Sequence, residues 1–337
     1  MKIPIYSSLK EKSIKFDTEN INNKEELDIL IKLFNSNIDD QKYIFRGVTE
    51  AKYKLFNSAQ RHWIGEELNK LGKSYQEFIQ TIINNSKKYH DGLLTKFYDS
   101  FGHVAYDLSI LSFLQHYKAP TPLLDFTYNF DSALFFATDG LIHTNSNEID
   151  NYFSIYFINT STITNQFPSI ITFINSSLST LNDLLNSPRR GRKHFYFSEL
   201  RQFESLQYKA FHNKKLFYLP GYTPLGIMLK KIDSEPDFKL IYNQQNLNII
   251  NQKGLFVFNS DPLLPLEEIF FKKNSIEINP ENFLPKIKCW NIHKSLNEYI
   301  IHYLTNSRKI PINREFMFPQ EENIAQSAFK QFKNFES

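Results

Sequence analysis

The sequence has very little cysteine. Cys289 is the one thiol among 337 residues, which excludes an intramolecular disulfide and any zinc or iron–sulfur site built from several thiolates. Such a composition is typical of a reducing compartment, so we expect a cytoplasmic location. Polar and apolar residues alternate over residues 286–290, which predicts that Cys289 is a buried strand thiol rather than a nucleophile.

Long apolar runs are also absent. The longest, at residues 110–113 and 133–137, fall far short of the ~20 residues that cross a bilayer as a helix. Residues 1–10 contain no apolar block followed by a small-residue cleavage site. We therefore expect neither a membrane span nor a secretory signal.

Glycine is scarce, with ten residues in the chain. Neither G-x-G-x-x-G nor G-x-x-x-x-G-K-[ST] occurs, so no glycine-rich phosphate loop is predicted. No spacing of histidines and carboxylates suggests a metal site, and we predict none. The net charge of +3 is a mild excess that neither demands nor excludes a polyanionic partner.

Aromatic residues are abundant, with 32 Phe and 18 Tyr, and the apolar pattern along the chain is periodic. The pattern predicts helices at 24–34, 104–117, 198–211, 294–305 and 321–332, and three more that begin near Ser58, at a Ser74 capping box and at an Asp131 cap. Strands are predicted at 42–45, 152–158 and 254–258. Because strands and helices do not alternate regularly, the sequence predicts an α+β fold: a single compact domain with a mixed sheet flanked by helices.

A polar segment at residues 176–194 is predicted to be a surface insertion. It ends in a basic cluster, which consists of Arg189, Arg190, Arg192 and Lys193. Such a cluster is suited to nucleic-acid phosphates, because electrostatic attraction supplies most of the affinity. A solvated loop is the alternative interpretation.

Arg46 and His116 are the first candidates for chemistry. Arg46 lies between a predicted strand and Gly47, and its planar guanidinium fork suits phosphate or carboxylate. The glycine permits a backbone geometry or a close ligand approach that a side chain would block. A structural ion pair is the alternative for Arg46. His116, at the end of a predicted helix, is either a general base or a helix-terminal histidine bonded to a backbone carbonyl.

Several motifs follow one another in a set order. These are Phe45-Arg46-Gly47, Gln115-His116, Pro120-Thr121, Leu123-Leu124-Asp125-Phe126-Thr127 and Ala133-Leu134-Phe135-Phe136-Ala137. This order resembles the FRG domain, a bacterial family named for its first tripeptide. Residues 246–256 and 316–319 resemble later signatures of the family. The resemblance therefore covers residues 25–332 and leaves 1–24 as an N-terminal extension.

Three residues depart from the family pattern. Lys118 stands where the family usually has glycine. Pro122 and Asn248 stand where the family usually has arginines. The resemblance thus implies a phosphate site that lacks two of its expected cations.

The order of parts is also similar to that of ADP-ribosyltransferases, and this similarity implies that the ligand is NAD. It places NAD against Phe45, Arg46 and Gly47, with Arg46 holding the pyrophosphate or the ribose. In the same interpretation Thr127 supports the nicotinamide ribose and Phe136 forms a wall of the nicotinamide pocket.

Asp125 and Gln252 complete the site that this similarity implies. Asp125 orients Arg46 or acts as a base, and Gln252 stands on a late strand, where an active transferase has its glutamate. An amide stabilises the positive charge that develops on the ribose only through its dipole, whereas a carboxylate does so directly. Glu199 and Glu204 are alternative sources of that charge.

Two functions from different classes follow as expectations. The first is an FRG-type effector enzyme that handles NAD or a related nucleotide in a bacterial defence or toxin context. The second is a binding module for nucleic acid or for a protein partner, in which Arg46 and Asp125 form only a structural salt bridge.

Overall fold

The computed structural model of the protein describes residues 2–36, 43–100, 107–141, 147–159, 216–219, 225–228, 239–242, 247–259, 261–270 and 287–320. The predicted insertion at 176–194 with its basic cluster, Glu199, Glu204 and the predicted helices at 198–211 and 321–332 lie outside the described residues. Within the described ranges, no helix combines the length and the apolar content that a bilayer span requires.

The described helices and strands alternate irregularly along the chain. The helices are α1 (Leu9–Lys15), α2 (Lys24–Ser36), α3 (Ser58–Gly65), α4 (Tyr75–Ser100), α5 (Asp107–His116), α6 (Phe130–Thr138), α7 (Leu247–Asn251), α8 (Asn297–Asn306) and α9 (Arg314–Met317), and residues 266–270 are also helical. The strands are β1 (Asp17–Ile21), β2 (Tyr43–Val48), β3 (Leu123–Thr127), β4 (Tyr152–Asn159), β5 (Leu216–Leu219), β6 (Leu225–Met228), β7 (Lys239–Tyr242), β8 (Gly254–Asn259) and β9 (Lys288–His293). Helix α4 is interrupted at residues 89–92, whose backbone is not helical.

Seven strands form a mixed sheet in the order β1-β9-β4-β2-β3-β8-β5, and β6 and β7 form a separate pair. Strands β1 and β9 pair in parallel, whereas the other neighbours in the sheet are antiparallel. The predicted α+β class with a mixed sheet flanked by helices is confirmed. Strands β2 and β3 are the weakest junction, because Phe45 and Thr127 are the one residue pair that joins them in the described chain.

Apolar side chains cover both faces of the sheet. Because side chains alternate along a strand, Ile44 and Phe45 enter different clusters. The Ile44 face packs against α1 and residues 266–270. On the Phe45 face, α2, α6 and α8 pack against the half that contains β2, and α3, α4 and α5 pack against the half that contains β3.

Residues 1–24, predicted as an extension, contribute to this core where they are described. Tyr6 and Phe16 are buried on the Ile44 face, and β1 forms one edge of the sheet. Lys12 is fully buried and donates to Ala51 O at 2.9 Å, Ser154 Oγ at 2.6 Å and Asn291 Oδ1 at 2.9 Å. Burial lowers the pKa of this lysine, and three acceptors around one ammonium group compensate for the lost water.

Local predictions have mixed outcomes. The capping box at Ser74 is confirmed, since Ser74 and Glu77 exchange backbone and side-chain hydrogen bonds. Cys289 is buried on β9 as predicted, and burial raises the pKa of its thiol. The predicted Asp131 cap is wrong: the cap of α6 is Asn129, whose side chain accepts from Ser132 N at 2.9 Å. Asp131 is instead buried, where it binds Tyr303 and Arg308 from the C-terminal region.

Candidate functional site

Arg46 lies inside β2, and the prediction that it ends the strand is wrong. The antiparallel pairing of β2 with β4 continues to Val48, and Arg46 pairs with Tyr156. Alternation along the strand therefore sends the Arg46 side chain to one face and its neighbours Phe45 and Gly47 to the other. The three residues of the motif cannot all face one ligand from the same side of the strand.

Gly47 makes room for a helix. A Cβ atom on this residue would lie 1.9 Å from Ala133 O and 2.7 Å from Ala137 N, both in the backbone of α6. The close approach that the glycine permits is therefore that of α6 to β2. The two alanines of the Ala-Leu-aromatic-Phe-Ala motif lie at this contact, which gives both motifs a shared packing function.

Phe45 belongs to the core between the sheet and α6. It is 3% exposed, and its ring lies 4.9 Å from that of Phe34, 5.5 Å from that of Phe130 and 5.4 Å from that of Phe157. Aromatic pairs at these separations stabilise a core beyond the area they bury. The position of Phe45 favours a structural function over the predicted contact with NAD.

Arg46 reaches across the weak junction between β2 and β3. Its Nη1 donates to the carbonyl oxygen of Asp125 at 2.5 Å and lies 3.9 Å from the carboxylate Oδ2. The Arg46 side chain is 19% exposed, while that of Asp125 is 58% exposed. The guanidinium thus satisfies a backbone acceptor at the junction, and the Asp125 carboxylate stays open to solvent.

The electrostatics of Arg46 reflect its partly enclosed position. Burial lowers the pKa of Arg46, and Asp125 and Tyr156 raise it by smaller amounts. Its Nε is buried and has no hydrogen-bond partner among the described residues. A buried donor without a partner costs about 1–3 kcal/mol of stability. A ligand oxygen that accepted a hydrogen bond from the guanidinium would recover part of that free energy.

A chain of hydrogen bonds holds the Asp125 carboxylate. Gln115 Nε2 donates to Asp125 Oδ2 at 2.8 Å, and Thr121 Oγ1 donates to Gln115 Oε1. The carbonyl of Thr121 in turn accepts from Ala59 N at 3.0 Å and from Ser58 Oγ at 3.2 Å. Helices α3 and α5 are thereby tied to β3, which gives the exposed carboxylate a set orientation.

His116 follows Gln115 as the last residue of α5 and interacts electrostatically with the Asp125 carboxylate. Burial lowers the pKa of His116, and the charge of Asp125 partly opposes that effect. The imidazole is therefore neutral at neutral pH, which is the form that accepts a proton. The ring of the exposed Tyr117 lies 4.8 Å from it.

Thr127 and Gln252 form a second group at the other end of β3. The Thr127 hydroxyl donates to the carbonyl of Gln252 at 2.6 Å, and Gln252 Nε2 donates to Met317 O at 2.8 Å. Gln252 lies in the turn between α7 and β8, so the prediction that it stands on a late strand is wrong. The side-chain amide of Gln252 is therefore already hydrogen-bonded to the segment that contains Met317.

Phe136 belongs to the same group. It is half-buried, and its ring lies 6.1 Å from that of Phe318, which follows Met317 directly. The candidate residues are therefore divided between two groups. Arg46, His116 and Asp125 form one, and Thr127, Phe136 and Gln252 are connected through residues 317–318.

Lys118 occupies a backbone conformation that suits glycine. Its φ is 62°, in the left-handed region, and it is the second residue after the end of α5. Lys118 N bonds to Gln115 O at 3.1 Å and Ala119 N bonds to Leu114 O at 2.9 Å, so the turn closes the helix. This explains why a glycine is expected here.

Lys118→Gly should therefore stabilise the protein by about 0.5–1 kcal/mol, because it removes the Cβ strain of a left-handed residue. Thermal or urea unfolding measures the change. Lys118→Ala is the matched control, since it removes the charge and keeps the Cβ atom. If both variants gain equally, the backbone conformation is not the cause.

Arg61 interacts electrostatically with Arg46 and Asp125 and was not predicted from the sequence. It lies on α3 and donates through Nη1 to Phe56 O at 2.7 Å, so its guanidinium is partly enclosed although the residue as a whole is exposed. Its surroundings lower the pKa of Arg61, first by burial and then through repulsion from Arg46, while Asp125 raises it. No local motif marks this arginine, so its proximity to Arg46 was not visible in the sequence.

Comparison with known proteins identifies part of the chain. No curated protein and no solved structure matches it. The FRG domain family matches residues 41–146. That range contains Arg46, Arg61, His116 and Asp125 and excludes Gln252. This match confirms the resemblance predicted from the Phe-Arg-Gly motif and the motifs up to residue 137, and it does not extend to the later signatures at 246–256 and 316–319.

Proposed function

We propose that the FRG domain binds NAD or a related dinucleotide at the Arg46–Asp125 site and transfers its ADP-ribosyl group, in a bacterial defence or toxin context. The observation that carries this proposal is the pairing of a guanidinium with an open carboxylate on either side of the β2–β3 junction. The guanidinium suits a phosphate of the pyrophosphate, and the carboxylate suits a ribose hydroxyl or a cationic ribose.

In this proposal the Asp125 carboxylate stabilises the positive charge that develops on the ribose during the reaction. When the bond between nicotinamide and ribose C1′ breaks, nicotinamide leaves with the bonding electron pair and positive charge develops on the ribose. A carboxylate stabilises that charge directly. Gln115 holds Asp125 in place. Gln252 is less suited, because its amide already donates to Met317 O.

The incoming nucleophile must lose a proton. A hydroxyl of the acceptor, or water, attacks C1′, and its proton passes to a base while the new C–O bond forms. His116 is neutral at neutral pH, because burial lowers its pKa, and it follows Gln115, which binds Asp125, so it is the base in this proposal. The products are the ADP-ribosylated acceptor, or ADP-ribose, together with nicotinamide and the transferred proton.

A binding module for nucleic acid or protein is the second candidate. It is favoured by the hydrogen bond from Arg46 to the backbone carbonyl of Asp125, because that bond joins β2 to β3 whether or not a ligand is bound. In that case the arginine closes the junction of the two strands and the site performs no chemistry.

Asp125→Asn separates the two candidates, because it leaves the backbone carbonyl that Arg46 binds intact. The full chain should release nicotinamide from NAD, measured by chromatography. Asp125→Asn should reduce that rate at least ~100-fold with little change in the unfolding midpoint. Arg46→Lys should weaken NAD binding, although it also perturbs the junction and needs a parallel stability measurement.

The matched control is Asp91→Asn, which changes a 96% exposed aspartate elsewhere in the domain. It should leave nicotinamide release unchanged. If the wild-type chain neither binds NAD in calorimetry nor releases nicotinamide, and Arg46→Lys lowers only the stability, the enzymatic proposal fails and the structural interpretation of the pair stands.

A further inference from the structure

Thr121 is held by the first residues of α3. Ala59 N donates to Thr121 O at 3.0 Å, and the Ser58 hydroxyl donates to the same oxygen at 3.2 Å. Thr121 N in turn donates to Ser58 Oγ at 3.0 Å. Both backbone groups of Thr121 are therefore bonded to the helix, and the residue is fully buried. The helix thus fixes where the Thr121 hydroxyl lies.

The direction of the hydrogen bonds around this hydroxyl follows from its neighbours. Leu123 N donates to Thr121 Oγ1 at 3.4 Å, and a backbone N–H cannot accept. The hydroxyl donates its own hydrogen to Gln115 Oε1, which can only accept. The side-chain amide of Gln115 is therefore oriented with its oxygen toward Thr121 and its NH2 group toward Asp125.

The reversed orientation of the Gln115 amide would be unfavourable beside Asp125. The amide oxygen would then face the carboxylate, and two acceptors would meet without a hydrogen between them. In the observed orientation Gln115 Nε2 donates to Asp125 Oδ2 at 2.8 Å, and Arg46 Nη1 lies 3.9 Å from the same oxygen. Among the described residues no group donates to Asp125 Oδ1. The protein thus holds one oxygen of the carboxylate and leaves the other open.

We propose that Thr121 is a positioning residue of the Arg46–Asp125 site: through Gln115 it fixes Asp125 Oδ2 and leaves Oδ1 to face the ribose. Thr121 itself touches no ligand. Gln115, Thr121 and Asp125 belong to three separate motifs, at residues 115–116, 120–121 and 123–127, and the hydrogen bonds give the three motifs one shared purpose. The expected effect on rate rests on the proposed function of the site, whereas the orientation of Gln115 does not.

Thr121→Val tests the proposal in the full chain, because it removes the hydroxyl and keeps the shape of the side chain. Gln115 then loses the donor that orients its oxygen. We expect kcat for nicotinamide release to fall about tenfold or more and KM to change less than about threefold, since misplacement of a reacting group slows the chemical step. Thr121→Ser keeps the hydroxyl and should retain most of the wild-type kcat.

Thr138→Val is the matched control. It also removes a buried threonine hydroxyl, one that donates to the backbone carbonyls of Leu134 and Phe135 within α6. It should leave kcat unchanged, and unfolding midpoints of all variants are measured in parallel. Equal losses of kcat in Thr121→Ser and Thr121→Val, or in Thr138→Val and Thr121→Val, would show a general packing effect and overturn the proposal.

Gln115→Glu tests the same orientation and leaves the buried Thr121 intact, so it serves even if Thr121→Val does not fold. It replaces the donor toward Asp125 by an oxygen and should lower kcat at least as much as Thr121→Val. An undiminished kcat in Gln115→Glu would contradict the proposal.

A second measurement needs no reaction. In the 15N-labelled chain, the Gln115 NH2 protons are identified by their absence in Gln115→Glu. Their exchange with solvent should become at least ~threefold faster in Thr121→Val and in Asp125→Asn, because the bond that protects them is lost. Unchanged exchange in Thr121→Val would overturn the proposal. Exchange that depends on Thr121 without any nicotinamide release would support the positioning of Asp125 while the proposed reaction fails.

Discussion

Gly47→Ala should destabilise the protein by about 3 kcal/mol or more, a large part of the stability of a typical domain. The added Cβ would lie 1.9 Å from Ala133 O and 2.7 Å from Ala137 N. Both atoms belong to the backbone, so relief requires α6 to move away from β2. Urea unfolding followed by circular dichroism measures the loss.

Gly254→Ala is the matched control for this prediction. A Cβ at Gly254 would have its nearest neighbour, Ile249 Cα, at 3.8 Å, which is an ordinary contact. We expect a change of less than about 1 kcal/mol. Similar losses for the two variants would mean that general glycine effects, rather than the contact with α6, explain the Gly47 result.

Glu50→Gln should have the second largest effect, a loss of about 3 kcal/mol. Glu50 Oε1 lies 2.8 Å from Lys294 Nζ, and the two side chains are 9% and 3% exposed. Lys52 Nζ lies 3.9 Å from the other carboxylate oxygen. Removal of the Glu50 charge leaves a buried ammonium group without the carboxylate beside it, which is strongly destabilising. Chemical denaturation is the measurement.

Two further variants test this explanation. Glu50→Gln combined with Lys294→Met should cost less than Glu50→Gln alone, because the double variant no longer buries the Lys294 charge beside a neutral amide. Asp91→Asn disrupts the pair with Lys96, whose members are 96% and 63% exposed, and should leave the midpoint unchanged. A double variant that is less stable than the single one would contradict the explanation.

The motifs at residues 45–47 and 123–137 contain packing residues and candidate site residues. Phe45, Gly47 and the alanines of α6 hold the helix against the sheet. Arg46 and Asp125 are the members of the motifs that meet at the surface. A motif found in sequence is therefore not a set of equivalent site residues, and substitutions at Phe45 or Gly47 report on folding before they report on function.

Errors in the sequence predictions have a common physical origin. Asp131 and Asn129 are both good caps two residues apart. Asn129 caps α6, whereas Asp131 binds Tyr303 and Arg308 from a distant segment that the local sequence does not reveal. Arg46 was placed at a strand end because a glycine follows it. Pairing with β4 extends the strand to Val48. A glycine occurs at position 47 within the strand because a Cβ atom there would clash with the backbone of α6.

The sequence by itself determined the class of fold, the FRG resemblance, the burial of Cys289 and the positions of most of the described helices and strands. These depend on residue types and spacings within short segments, where local periodicity and caps act. Only the tertiary structure decided that Arg46 binds the backbone carbonyl of Asp125, that Gln252 lies in a turn bonded to Met317, and that Gly47 faces a helix. Each of those results depends on contacts between segments distant in the chain, and such contacts are set by the packing of the whole core.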